Sequence, residues 1–135
     1  MMHIESPRTG DQAPEAEIKS KGLTAPRITP ADIEANIASE HYFTAYDGAQ
    51  ASQIFIFHAP VGGKNGTVRP LELLTFCVLV LRNGFTVTGE SACASPENFD
   101  ADLGRKIARQ NAINKVWPLM GYALKEKLAA EGGAA

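Results

Sequence analysis

Two arginines one helical turn apart, Arg105 and Arg109, are the residues best suited to chemistry in this 135-residue chain. Like charges at i and i+4 repel, so the spacing is productive only if something anionic lies across both. Paired guanidinium forks suit a phosphate or a carboxylate. Asn114 adds an amide to the same helix, and Phe85, on a neighbouring hairpin, offers a ring on which a base can stack. The competing reading is a solvated basic face. Glu90 and Ser91 form a second group, but "GES" (Gly89–Ser91) lacks the second glycine of a nucleophile elbow. A general base also needs a partner and a raised pKa, and neither is visible locally. Both residues read as a polar strand edge, at most as ligand contacts. The ligand-binding candidates are therefore Arg105, Arg109, Asn114, Phe85, Glu90 and Ser91, with no catalytic set.

Other reactive types are sparse. Cys77 and Cys93 read as reduced and partly buried, on opposite faces of a ribbon, and no histidine lies near either in sequence. His3, His41 and His58 show no metal-ligand spacing, so no metal and no cofactor are expected. Lys64 sits among glycines in "PVGGKNG" (Pro60–Gly66), which invites a phosphate-loop reading. The pattern G-x-x-x-x-G-K-[ST] is absent and no helix follows, so a plain turn is preferred.

The elements that must position these residues follow from the pattern. Residues 1–27, rich in Pro, Ala, Glu, Ser and Lys with no apolar period, read as a flexible tail, or one that orders on a partner. Thr29-Pro30-Ala31-Asp32 is a helix start, with a hydroxyl cap and proline at the first position; the helix is expected to run to about Gly48. "QIFIFH" (Gln53–His58) is β-branched and aromatic, and predicts a strand. Leu73–Leu81 and Phe85–Ser91 flank Asn83-Gly84 and predict a hairpin with a two-residue turn. In that register Val80 faces Val87, Val78 faces Gly89 and Cys77 faces Glu90. Ser95-Pro96 is expected to cap a long helix that Pro118 kinks or ends, followed by a second helix, Leu119–Ala129, and a flexible end over 131–135. Helix, strand, hairpin and two helices make a single α+β domain over 28–130: an antiparallel sheet of about three or four strands with helices on one face.

With 13 basic and 15 acidic residues the net charge is −2, so no overall field draws the chain to nucleic acid or an anionic membrane. The longest apolar run, Leu73–Leu81, is about half a membrane span, and no signal-peptide pattern opens the chain. The expectation is a soluble, cytoplasmic protein. The open edges of a small sheet, together with a strand that is apolar on both faces, point to a homo-oligomer.

"LLTFCVLVLRNGFTVTGESACASPENFDADLGRKIARQNAINKVWPLMGYALKEKL" (Leu73–Leu128) resembles the tailed-phage and prophage protein family named after a gene-49 and a gene-66 product of two podoviruses. "ITPADIEANIASEHYFTAYDGA" (Ile28–Ala49) is similar to the opening helix of that family, and "NGFTVTGESACASPENFD" is the most specific run. The resemblance implies a small phage accessory protein in a bacterial host, with no catalytic residues to carry over. Three functions then compete. One is a non-catalytic, oligomeric anti-defence protein that sequesters a small (cyclic) nucleotide immune signal. The second is a protein-binding inhibitor or modulator of a host enzyme or defence complex, working through the tail and the last helix. An enzyme, the third, has no motif behind it.

Overall fold

The computed structural model describes residues 7–59 and 68–132, with side chains from Pro14 onward. Helix α1 (Pro7–Ser20) lies in the segment read as a tail. It is followed by α2 (Pro30–Ala35), β1 (Ile37–Thr44), α3 (Ala45–Ser52), α4 (Arg69–Glu72), β2 (Leu74–Leu81), β3 (Thr86–Ala92) and α5 (Ala101–Gly132). The strands form an antiparallel meander in the order β1-β2-β3. The α+β class is as the sequence indicates.

The single opening helix is corrected. Residues 30–52 form two short helices with a strand between them. Both helices begin with the same device: Thr29 accepts from the backbone of Asp32 while the Asp32 carboxylate accepts from the backbone of Thr29, and Thr44 and Asp47 repeat the exchange. β1 exists because β2 offers it a ladder from Ile37↔Leu81 to Thr44↔Thr75, with a bulge between Ile37 and Ser39.

The hairpin turn is also corrected. Leu81 donates to Phe85 and Gly84 donates to Leu81, each at 2.8 Å, so three residues, Arg82-Asn83-Gly84, make the loop. Gly84 has φ +90°, the conformation that the third position of such a loop demands and that glycine supplies without strain. The register moves by one: Leu79 faces Val87 and Cys77 faces Gly89. Because side chains alternate, that one residue turns all of β3 over. Thr75, Cys77, Leu79 and Leu81 share the buried face with Val87, Gly89 and Ser91. Both cysteines are free. Cys93 lies level with Leu73, on the same face as Cys77, and four residues along a strand, about 13 Å, separate them.

A single long helix covers that face. α5 packs on β3 and β2 through Gly104, Ala108 and Ala112, small residues one turn apart, flanked by Ile107, Ile113 and Val116. Its backbone comes so close that a Cβ on Gly89 would lie 2.2 Å from the Ala108 carbonyl oxygen and 2.3 Å from the Ala112 nitrogen. Ile33, Leu79, Val116 and Cys77 fill the centre of the core, where truncating the leucine costs about 2–5 kcal/mol.

Three further expectations change. Ser95 does not cap α5; Pro96–Asn98 form a 3₁₀ turn, and α5 begins after Asp100, whose carboxylate accepts from Leu103. Pro118 neither ends nor splits α5, because its missing N–H falls on the exposed side while Val116, Trp117 and Met120 pack against the core. Gln53–His58 has no strand partner among the described residues. α5 is about 48 Å long at 1.5 Å per residue, while eight-residue strands span about 27 Å. Its C-terminal half therefore projects past the sheet.

Candidate functional site

The cationic side of α5 is where the sequence places an anion site. Arg109 is held there by carboxylates from two other elements. Its Nη1 and Nη2 donate to Glu34 of α2 at 3.1 and 2.7 Å, and its Nε and Nη2 donate to Glu40 of β1 at 3.0 and 3.2 Å. Glu40 points at the helix because its cross-strand partner, Leu79, is on the buried face. The Tyr42 hydroxyl donates to Glu40 at 2.5 Å. The hydrogen bond from Arg109 holds the Glu40 carboxyl below its ordinary range, against the opposing effect of partial burial. Burial, with the Glu40 bond behind it, pushes the Tyr42 phenol up. Cys77, next to Tyr42 and inaccessible, has its thiol raised by desolvation, the opposite of an activated nucleophile.

Arg105 is about half exposed and its nearest acid is Asp102, at 3.7 Å. Lys106 lies closer to the same Asp102, at 3.2 Å. Asn114 accepts from the Gln110 side chain at 2.6 Å, on the solvent side. Glu90 lies 3.8 Å from Lys115, and its backbone carbonyl accepts from Asn111 at 2.7 Å, which ties α5 to β3. Ser91 is buried beneath the helix. Phe85 stands exposed at the hairpin tip, level with Leu81. Gly104, the neighbour of Arg105, lies over Thr75. Six strand residues, about 20 Å, separate those levels, so one protomer does not bring Phe85 and Arg105 together.

Among the described residues three clefts are large enough for a small ligand; one, about 530 Å³, lies between residues 54–59 and Pro70-Leu71 and has no cation on its wall. The largest, about 910 Å³, lies between α4, the start of β2 and residues 92–96. Its walls include Leu73, Leu74, Cys93 and Pro96, and its one cation, Arg69, is already 2.6 Å from Glu72. The second, about 570 Å³, is shaped differently in charge. Ile28, Met120 and Leu124 give it an apolar lining, Arg27, Arg82 and Lys127 its cations, and Asp32 is the one acid on its wall. That aspartate is engaged at the α2 cap. Arg27 pairs with Glu15 at 2.6 Å. Arg82 spends its Nε on the Ala35 carbonyl, and neither it nor Lys127 has a carboxylate within ion-pair distance among the described residues. Apolar lining beside cations that lack an acid partner is the chemistry that suits an anionic ligand with an apolar or aromatic part. Sequence reasoning missed it because a hairpin turn, the α2 entry and the last turns of α5 meet there only after folding.

Among the described residues no cluster of His, Cys, Asp and Glu could hold a metal ion, and no helix is long and apolar enough to cross a membrane. The phosphate-loop reading of Lys64 lies outside the described residues. No curated protein and no solved structure matches the chain. Residues 28–128, from the entry into α2 to the last turns of α5, match one protein family throughout. The chain belongs to the Phage protein (N4 Gp49/phage Sf6 gene 66) family.

Proposed function

We propose that this phage accessory protein works without catalysis, as a homo-oligomer in the bacterial cytoplasm that binds and holds a small (cyclic) nucleotide used as an immune signal. The observation that supports it is the cleft at Arg82 and Lys127, where unneutralised cations share the wall with an apolar lining. Arg105, whose pair with Asp102 is long at 3.7 Å, is a third cation for such a ligand; Arg109 beside it is scaffold, bonded to Glu34 and Glu40. Native mass spectrometry of protein purified from a host with active defence systems should show a discrete mass in the nucleotide range that heating releases. R82A and K127A, both exposed and outside the core, should lose that mass with little change in melting temperature. Retention by both, with loss in R105A, would move the ligand to the basic side of α5. Release of no small molecule from wild type would refute sequestration.

A second reading, inhibition or modulation of a host protein, is favoured by the projecting half of α5, where Leu119 and Tyr122 are exposed. A single stoichiometric host protein, captured by the full chain and lost with an L119D/Y122D variant, is the outcome it requires.

A further inference from the structure

The segment Gln53–His58 carries the strongest strand pattern outside the hairpin, yet it forms no strand. Ile54, Ile56 and Phe57 are 68%, 73% and 58% exposed. Phe55 and Phe57 lean on one another, with ring centroids 5.9 Å apart. The backbone N–H of Gln53 is satisfied by Ala49 as α3 ends, and that of Ile54 by the Ser52 hydroxyl. From Phe55 onward the main chain has no hydrogen-bond partner among the described residues. A short uncharged β-former with open main-chain groups is a strand waiting for an edge.

The same chain presents one. Among the described residues β3 pairs only with β2. Residues 85 and 93 both bond toward β2, so by the two-residue alternation the backbone groups of Thr86, Thr88, Glu90 and Ala92 point outward; the Glu90 carbonyl there already accepts from Asn111 of α5 at 2.7 Å, so the stretch offered to a new strand is Thr86–Thr88, toward the hairpin tip. β1, the opposite edge, is blunted by a bulge and by Glu40 and His41. β3, "TVTGESA", has no bulge, no lysine and no proline of its own to guard the edge, and α5 reaches over it at Glu90 through Asn111 and Lys115 while Thr86 and Thr88 lie beyond that contact.

We infer that Gln53–His58 of one copy adds to the outer edge of β3 in a second copy, and that the exchange is reciprocal. This specifies how copies associate, which the proposed function leaves open, and it stands whether or not a nucleotide is bound. The area is adequate. Three side chains exposed to that degree present roughly 350 Å² of apolar surface, already in the range that marks an interaction patch. Two arms, each covered by an equal acceptor area, reach about 1,400 Å², within the roughly 1,200–2,000 Å² of stable interfaces.

The test is the mass in solution of the full chain, by sedimentation equilibrium at micromolar concentration. Wild type should be at least dimeric. I56K, which places a charge in the arm, and T88P, which removes an outward donor from β3 without touching its ladder to β2, should each dissociate with unchanged far-ultraviolet circular dichroism. An equimolar mixture restores one arm–edge contact of the two, because the I56K copy still supplies an intact edge and the T88P copy an intact arm, and should associate more strongly than either variant alone but less strongly than wild type. A monomeric wild type, or an associated T88P, overturns the exchange. If a variant proves unfolded, T88 replaced by N-methylated alanine through chemical ligation gives the same loss of a donor. Nucleotide release by native mass spectrometry is read separately, so failure of the exchange leaves the ligand reading untouched, and the reverse.

Discussion

Gly89→Ala adds one methyl group to a strand and is expected to be among the most damaging small substitutions in the chain. The new Cβ would lie 2.2 Å from the Ala108 carbonyl oxygen, 2.3 Å from the Ala112 nitrogen and 2.9 Å from the Ala112 Cα. These are backbone atoms of α5 and cannot rotate aside. Restoring an ordinary contact requires β3 and α5 to separate by about 1 Å, and a gap of that size forfeits a quarter or more of the dispersion energy of each contact across it. Val87, Leu79 and Val116 all pack across the helix–sheet boundary, so the cost is about 3 kcal/mol, the upper end of the overpacking range. With a urea dependence of about 1.5–2 kcal/mol/M for a chain of this size, the unfolding midpoint should fall by about 1.5–2 M. The fluorescence of Trp117, the one tryptophan, and far-ultraviolet circular dichroism should report the same transition. The matched control is Gly121→Ala on the exposed part of α5, where a Cβ meets nothing within 4 Å. There the same change should stabilise by about 0.5–1 kcal/mol. A G89A midpoint within about 0.3 M of wild type would refute the close helix–strand approach.

Arg109→Ala leaves Glu34 and Glu40 facing the same gap without a cation. All three groups keep partial solvent access, so the loss should be about 1–2 kcal/mol rather than the larger cost of a sealed pair, and a double-mutant cycle with Glu40→Ala should show coupling in urea melts. Glu40 is held below its unfolded value, so the native state resists protonation that the unfolded chain accepts. Its contribution is complete above about pH 5 and is lost as pH falls through the folded value. Melting temperatures of wild type and E40Q should therefore differ most at neutral pH and converge in acid. Pro118→Ala restores a helix hydrogen bond at an exposed position and should raise stability by about 1–3 kcal/mol; a lower melting temperature would show that the proline is fitted to a local bend.

The parts of the fold that sequence made legible are those fixed by local chemistry. The hairpin strands, the presence of a helix after the SPENFD run and the cap at Thr29 all follow from neighbours within a few positions, whereas the start of that helix after Asp100 and its passage through Pro118 do not. What failed was decided by distant partners. Ile33, Ile37 and Tyr42 suit a helix by spacing, yet residues 37–44 are a strand because β2 lies alongside. One local signal did exist: Thr44-Ala-Tyr-Asp47 repeats the capping pattern of Thr29-Pro-Ala-Asp32 and marks a second helix start. The register error came from reading Asn83-Gly84 as a complete turn when Arg82 belongs to the loop, and it carried every β3 side chain to the wrong face. The candidate site was only half legible. Arg105 and Arg109 lie on one helix, as spacing requires, but the acids that claim Arg109 come from positions more than sixty residues earlier, a juxtaposition no local pattern encodes.

The length of α5 gives one helix two kinds of stability. Its buried positions run from Gly104 to Val116, and amide hydrogens there are shut in by the sheet, so they should exchange with solvent only when the whole domain opens. Beyond Pro118, which itself contributes no amide, the remaining turns rest on partial contacts of Met120, Leu124 and Leu128. Those amides should exchange through local fraying, many-fold faster. The boundary between slow and fast exchange falls at the proline, and binding in the cleft lined by Met120 and Leu124 would move it toward the C-terminus.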